Sequence, residues 1–228
     1  MAHTTSCAGG KKEMNVRLIT EYPVAYESPD HIVPVGTKND NNSSSDYIAE
    51  VEKFFDGKRI AVMDIGCAGG QLVVDFHERG HCAVGVEGSD YNTKHGLHNW
   101  PKYHNSVLFT ADITKPFVVV DDNNERVLFD LISAWEVIEH ISWNDLDAMF
   151  ANVLANLKPG GLFLFSINCD PDVRQDANGD LHFLHQSVFP KEFWIENVLN
   201  KYRIVEYPFE TRVRTMSNYF CLGIRREE

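Results

Sequence analysis

The residues able to do chemistry fall into two groups. The first is a glycine-rich stretch, Asp64-Ile65-Gly66-Cys67-Ala68-Gly69-Gly70, followed by single acids at Glu87 and Asp112. Glycine takes positive φ and lets a ligand approach the backbone closely. A helix starting after such a turn offers free N–H groups and a positive dipole end. A dinucleotide turn reads G-x-G-x-x-G, but here Asp64 stands where the first glycine would be. A carboxylate at that point repels a pyrophosphate and suits a ligand that carries an ammonium group. The second group is Trp135-Glu136-Val137-Ile138-Glu139-His140, with His182 and His185 further on. In a helical turn Glu136, Glu139 and His140 share one face, and carboxylate with imidazole suits proton transfer or a divalent ion.

Alternating elements must position these groups. Ile60–Ile65 reads as a buried strand ahead of the turn, with a helix from about Gly70 to Arg79. Strands are expected at Cys82–Glu87, Val107–Thr110, Phe129–Ala134 and Leu162–Ile167. Helices are expected from Asp46 as N-cap, at Asn144–Leu157 and at Pro190–Asn200, with a helical or irregular piece around Tyr91–Trp100. Such alternation means right-handed crossovers and a mostly parallel sheet. Arg203–Tyr207 and Tyr219–Ile224 have no helix between them and are expected to pair as an antiparallel edge hairpin. Asp121–Glu125 and Asn168–Phe189 read as polar connections, the second long enough for a lid. Residues up to about Glu13 are expected to be a tail, with 1–45 forming tail and active-site lid and 46–228 a single domain. Tyr26, Asp30 and His31 are the candidates on that lid.

Glu87 follows the turn by about 20 residues, the spacing at which an acid meets a ribose diol. Asp112 is placed to accept from an adenine amino group. Three acids at neighbouring strand ends suit a cationic nucleoside without phosphate, and S-adenosylmethionine has that make-up. The glycine turn, Glu87, Asp112, Phe129-Asp130-Leu131-Ile132 and Leu157-Lys158-Pro159-Gly160-Gly161 resemble, in order and spacing, the motifs of class I S-adenosylmethionine-dependent methyltransferases.

The resemblance implies an α/β fold, a three-layer doubly wound seven-stranded mostly parallel sheet with an antiparallel C-terminal hairpin. It implies cofactor contacts from Asp64, Gly66, Cys67, Gly69, Glu87, Gly88, Asp112, Ile113, Ala134 and Trp135. Glu136 to His140 resembles the Glu-x-x-Glu-His of ubiquinone-biosynthesis O-methyltransferases and small-RNA 2′-O-methyltransferases. That likeness makes His140, Glu136 and His185 the catalytic candidates. It also implies, as an alternative, a divalent metal at Glu136, Glu139 and His140, with His182 or His185 as the later partner.

Composition narrows the partners. Among 228 residues, 43% hydrophobic and 24% charged describe an ordinary globular chain, and the net charge of −12 argues against a polyanionic partner. Five scattered cysteines without a CxxC pair form neither a disulfide framework nor a thiolate zinc site. With no secretory pattern and no apolar run of roughly 18 residues, a cytoplasmic protein is expected. The reading is transfer of a methyl group to a small-molecule acceptor, at oxygen before nitrogen or carbon. Its rivals are a dinucleotide-binding oxidoreductase, a non-catalytic cofactor-binding module, and a methyltransferase acting on RNA or protein.

Overall fold

The computed structural model describes residues 6–9 and 12–227; the rest of the expected N-terminal tail lies outside the described residues. Strands β1 (Ser6–Gly9) and β2 (Lys12–Thr20) precede three helices, α1 (Pro29–Ile32), α2 (Val35–Asn39) and α3 (Ser45–Phe54). Then come β3 (Ala61–Ile65), α4 (Gln71–Glu78), β4 (Cys82–Glu87), α5 (Tyr91–His95), α6 (Trp100–Tyr103) and β5 (Leu108–Thr110). The second half holds β6 (Phe117–Asp121), β7 (Phe129–Ala134), α7 (Leu146–Asn156), β8 (Leu157–Asn168), β9 (Val173–Gln175) and β10 (Leu181–Phe183). Last are α8 (Lys191–Trp194), which continues as a π-turn over Ile195–Leu199, β11 (Ile204–Glu206) and β12 (Tyr219–Arg225).

The main sheet has seven strands in the order β11-β12-β8-β7-β3-β4-β5. Strands β3, β4, β5, β7 and β8 run parallel, while β12 is antiparallel to both β8 and β11. The expected doubly wound sheet with its C-terminal hairpin is therefore present. The chain leaves β3 toward β4 and β5, then returns to β7 on the other side. That reversal opens a crevice beyond the carboxyl ends of β3 and β7.

Strand alternation builds a core on each face. Met63, Ile65, Ile132, Phe163 and Phe165 pack with Met149, Phe150 and Val153 of α7. Val62, Leu131, Leu162 and Leu164 pack with Tyr47, Ile48 and Val51 of α3 and with Leu72, Val73 and Phe76 of α4. Asp64 shares parity with Val62, and Ser133 with Leu131; the two are register partners, so their side chains meet.

Three local expectations are corrected. Ser44, not Asp46, caps α3, its hydroxyl accepting from Tyr47 N at 3.2 Å. The described part of the supposed tail is strand: β1 and β2 join β6 in a separate antiparallel sheet, with Val16 buried. The partner of β2 lies about a hundred residues away, so local pattern reading could not find the pairing. The loop after β8 holds the β9–β10 hairpin instead of being irregular throughout.

Candidate active site

A cavity of about 930 Å³ lies over the carboxyl ends of the parallel strands. Asp64, Gly66, Cys67, Glu87, Gly88, Asp112, Ile113, Trp135, Glu136, His140 and His185 all line it. Ala134 does not: it is wholly buried in the core at the end of β7. Gly69 lies behind the turn, its N–H donated to Asp40 O at 2.9 Å and its carbonyl facing Asn99.

The turn is built by backbone constraint. Gly66 has φ +67°, and a Cβ there would collide with Val137. Even Ala68 is left-handed, φ 46°, and is held from both sides. Its N–H donates to Glu87 Oε2 at 2.9 Å, and its carbonyl accepts from Trp100 Nε1 at 2.7 Å and Asn92 Nδ2 at 3.2 Å.

The acids are costly to bury. Desolvation raises the Asp64 carboxyl to about 7; the 2.6 Å hydrogen bond from Ser133 opposes this and the charge of Glu87 adds to it. Burial also raises Glu87, although Ala68 N, Ser89 N and Thr37 Oγ1 all donate to it. Asp112 is less enclosed and accepts from Thr114 N at 2.9 Å and Thr114 Oγ1 at 2.6 Å. Asp64 and Glu87, close enough for the charge of one to raise the other, share the cavity wall with Asp112, and such a wall suits a ligand carrying positive charge.

The segment 21–44 lies across these strand ends, tied at each of them. Asp112 N donates to Tyr22 O, Ala25 N to Gly88 O, and Asn92 Nδ2 to Thr37 O, all at 2.7–2.9 Å. Asn41 Oδ1 accepts from Gln71 N at 3.0 Å, capping α4. Of the lid candidates, Tyr26 is 60% exposed and His31 meets Ser89 Oγ at 3.1 Å. Asp30 instead reaches His140, Oδ2 to Nδ1 at 2.9 Å.

Around His140 the motif departs from the expected helical face. Glu136 is left-handed (φ 58°) and only Ile138–His140 forms a short 3₁₀ turn. The Glu136 carboxylate turns to Ser166 Oγ at 2.7 Å and Asn168 Nδ2 at 3.1 Å. The set brought together is Glu139, His140 and His185, one ligand atom of each lying within 4.8 Å of the others. The metal set with Glu136 is corrected accordingly, and His182 bonds to Asp176 at 3.1 Å within its own hairpin. Glu139 is fully buried; Oε1 accepts from Asn168 N, whereas Oε2 has no partner.

Burial raises the Glu139 carboxyl to about 8, with the charge of His140 working against the rise. Burial disfavours a charged His140, but Asp30, through its charge and hydrogen bond, and Glu139 outweigh it and bring the imidazolium to about 9. Burial and the charge of His140 lower His185, whose Nδ1 contacts Asp170 O at 2.5 Å. With each Nδ1 engaged, Nε2 of each ring and Glu139 Oε2 are the atoms a divalent ion would take, and it would displace the Nε2 proton of His140 in binding. Thr37 on Glu87 and the Asp40–Arg214 ion pair carried no signal in sequence. Their partners lie tens of residues away, 174 in the last case.

A family model described as a methyltransferase domain matches residues 40–199. The chain belongs to that family, the class I S-adenosylmethionine-dependent methyltransferases. Among curated relatives it is 32% identical over 107 residues to a ubiquinone biosynthesis O-methyltransferase of Bradyrhizobium sp. (strain ORS 278), covering 47% of this chain and 39% of the relative. It is 33% identical over 117 residues to the protein of that name in Chelativorans sp. (strain BNC1), covering 51% and 43%. The alignment thus spans about two fifths of the length of those relatives. Among solved structures, an S-adenosylmethionine-dependent methyltransferase from Clostridium acetobutylicum matches with TM-score 0.51 and 16% identity over 87% of this chain and 96% of its own. An amino pentose methyltransferase from Micromonospora echinaspora, bound to S-adenosylmethionine, matches with TM-score 0.51 and 15% identity, covering 85% and 95%. At such identities the likeness is one of fold.

Proposed function

We propose that this protein is a cytoplasmic enzyme that methylates a hydroxyl group of a small molecule using S-adenosylmethionine. The observation that carries the reading is the Asp30–His140 pair opening on the same cavity as Asp64, Glu87 and Asp112. When bound, S-adenosylmethionine supplies an electrophilic methyl on a sulfonium. Asp64 holds the ammonium, Glu87 the ribose hydroxyls and Asp112 the adenine amino group. Gly66, Cys67, Gly88, Ile113 and Trp135 shape the walls; Gly69 and Ala134 act from behind, through the turn and the strand. Segment 21–44 is the lid that keeps water out.

His140 is the base. Against burial, Asp30 and Glu139 hold it as an imidazolium up to about pH 9, so it acts as a base only after Nε2 has released its proton, a fraction that grows as pH rises toward 9. With Nδ1–H still donated to Asp30, Nε2 of the neutral ring then takes the acceptor's proton, and Asp30 stabilises the imidazolium that re-forms. His185 and the fixed Glu136 carboxylate orient the acceptor beside it. A labelled-methyl transfer assay over a panel of catechols, phenols and amines tests the reading. Label recovered on oxygen supports it; binding of a nicotinamide cofactor in place of S-adenosylhomocysteine sinks it.

A second reading is favoured by the unpartnered Glu139 Oε2. Glu139, His140 and His185 would then hold a divalent ion, which would lower the acceptor hydroxyl's pKa in place of a base. Loss of turnover with a chelator, restored by magnesium, manganese or cobalt, selects this version; turnover indifferent to the chelator selects the metal-free base.

A further inference from the structure

The strand ends supply only acids, yet the methionine tail of S-adenosylmethionine is a zwitterion whose carboxylate needs a cation or strong donors. Apart from the His140 imidazolium paired with Asp30, the cations lining the cavity are Lys115, Arg174 and Arg214. Lys115 sits at the adenine end, its N–H donated to Asp112 O at 3.1 Å. Arg174 stands on β9 and is paired with Asp172 at 2.7 Å. Arg214 alone is brought to the glycine turn. Its guanidinium is paired with Asp40, whose carbonyl accepts the Gly69 N–H at 2.9 Å.

The segment that delivers Arg214, between β11 and β12, is itself anchored. Glu50 accepts from Glu210 N, Thr211 N and Thr211 Oγ1 at 3.0–3.2 Å. Phe209 packs edge-on against Tyr47, with ring centroids 5.5 Å apart, and Tyr207 against Trp135, 6.0 Å apart.

We propose that Arg214 binds the carboxylate of the cofactor's amino-acid tail above the glycine turn, beside the ammonium held by Asp64. Resting on the methyltransferase reading above, this assigns one more binding residue to the site. Asp40 engages one guanidinium nitrogen, Nη1, and five N–H donors leave the others for a second carboxylate. The pair also ties the N-terminal lid to the C-terminal segment, so the tail is gripped where the two coverings meet.

Calorimetry with two ligands tests the assignment: S-adenosylhomocysteine, and its decarboxylated analogue, which keeps the ammonium and loses only the carboxylate. Arg214→Gln should weaken S-adenosylhomocysteine about 10- to 50-fold and leave the analogue within about twofold. Arg214→Lys should recover part of the loss. Asp40→Asn, which removes only the resting partner, should keep or raise the affinity for S-adenosylhomocysteine. Equal weakening of both ligands by Arg214→Gln, or of neither, overturns the proposal while leaving the methyltransferase reading intact. A wild-type protein that binds neither ligand overturns both.

Discussion

Asp64 is the residue at which structure and chemistry are most at odds. It is 6% exposed, with a carboxyl raised to about 7 by burial. A cation bound beside it lowers that value, so binding releases a proton below pH 7. Affinity for S-adenosylhomocysteine should therefore rise about tenfold from pH 6 to pH 8 and level off above. The ligand-free fold shows the opposite sign. A carboxyl raised above its unfolded value costs stability as pH climbs from about 4 to 7, so Asp64→Asn should stabilise the free protein at pH 8 while abolishing the pH dependence of binding. Melting curves and titrations at both pH values read the two effects. Glu87→Ala should weaken the cofactor by roughly 1–3 kcal/mol, since ribose hydroxyls are left without their acceptor. Asp30→Asn is a different case. It should cut kcat by about 10²-fold or more with little change in the cofactor's Kd, because Asp30 acts through His140 and not on the adenosine.

At the scale of elements, the proposed function gives the turn after β3 to the cofactor and the hairpin β9–β10 to the acceptor. Gly66→Ala puts a methyl group against Val137 at φ +67°, and should remove cofactor binding even if the protein folds. The hairpin closes through Leu184 N to Asp172 O at 2.8 Å, and Arg174, Leu184 and His185 line the cavity. Replacing 173–183 with a short flexible link should lower acceptor turnover at least about tenfold while S-adenosylhomocysteine binds as before. An unchanged turnover would remove the hairpin from the acceptor site. Strand β2 carries stability instead. It buries Val16 and pairs along β6, so deleting residues 1–20 should cost roughly 2–4 kcal/mol in urea unfolding.

Taken whole, the molecule places every covering of the site on one end of one sheet: the 21–44 segment, the loop after β7, the hairpin and the segment before β12. No helix among the described residues is long and apolar enough to cross a membrane. Coverings that close on a ligand store its binding energy as fold stability. At a hundred times its Kd, S-adenosylhomocysteine should add about 2.7 kcal/mol, raising Tm by about 5–10 °C for a domain of this size. Nicotinamide dinucleotides should leave Tm unmoved.

What the chain alone determined was what repeats locally or carries strict spacing. Apolar runs mark β3, β4, β5, β7 and β8, while β6 was not read from them, and the separation from Asp64 to Glu87 to Asp112 follows from strand–helix–strand geometry. The parallel order and the C-terminal hairpin were legible for the same reason. What only the tertiary structure decided was contact between distant segments. The partner of β2 is β6; Asp30 stands against His140; of the expected set Glu139 and His140 meet His185, while Glu136 turns away to Ser166 and Asn168. The left-handed backbone at Glu136 broke the helical face that spacing predicted. Asp64 was readable because a strand places its end residue by backbone alone. Asp30 was readable as a lid candidate beside Tyr26 and His31, but not as the partner of His140, because loops are positioned by what they pack against.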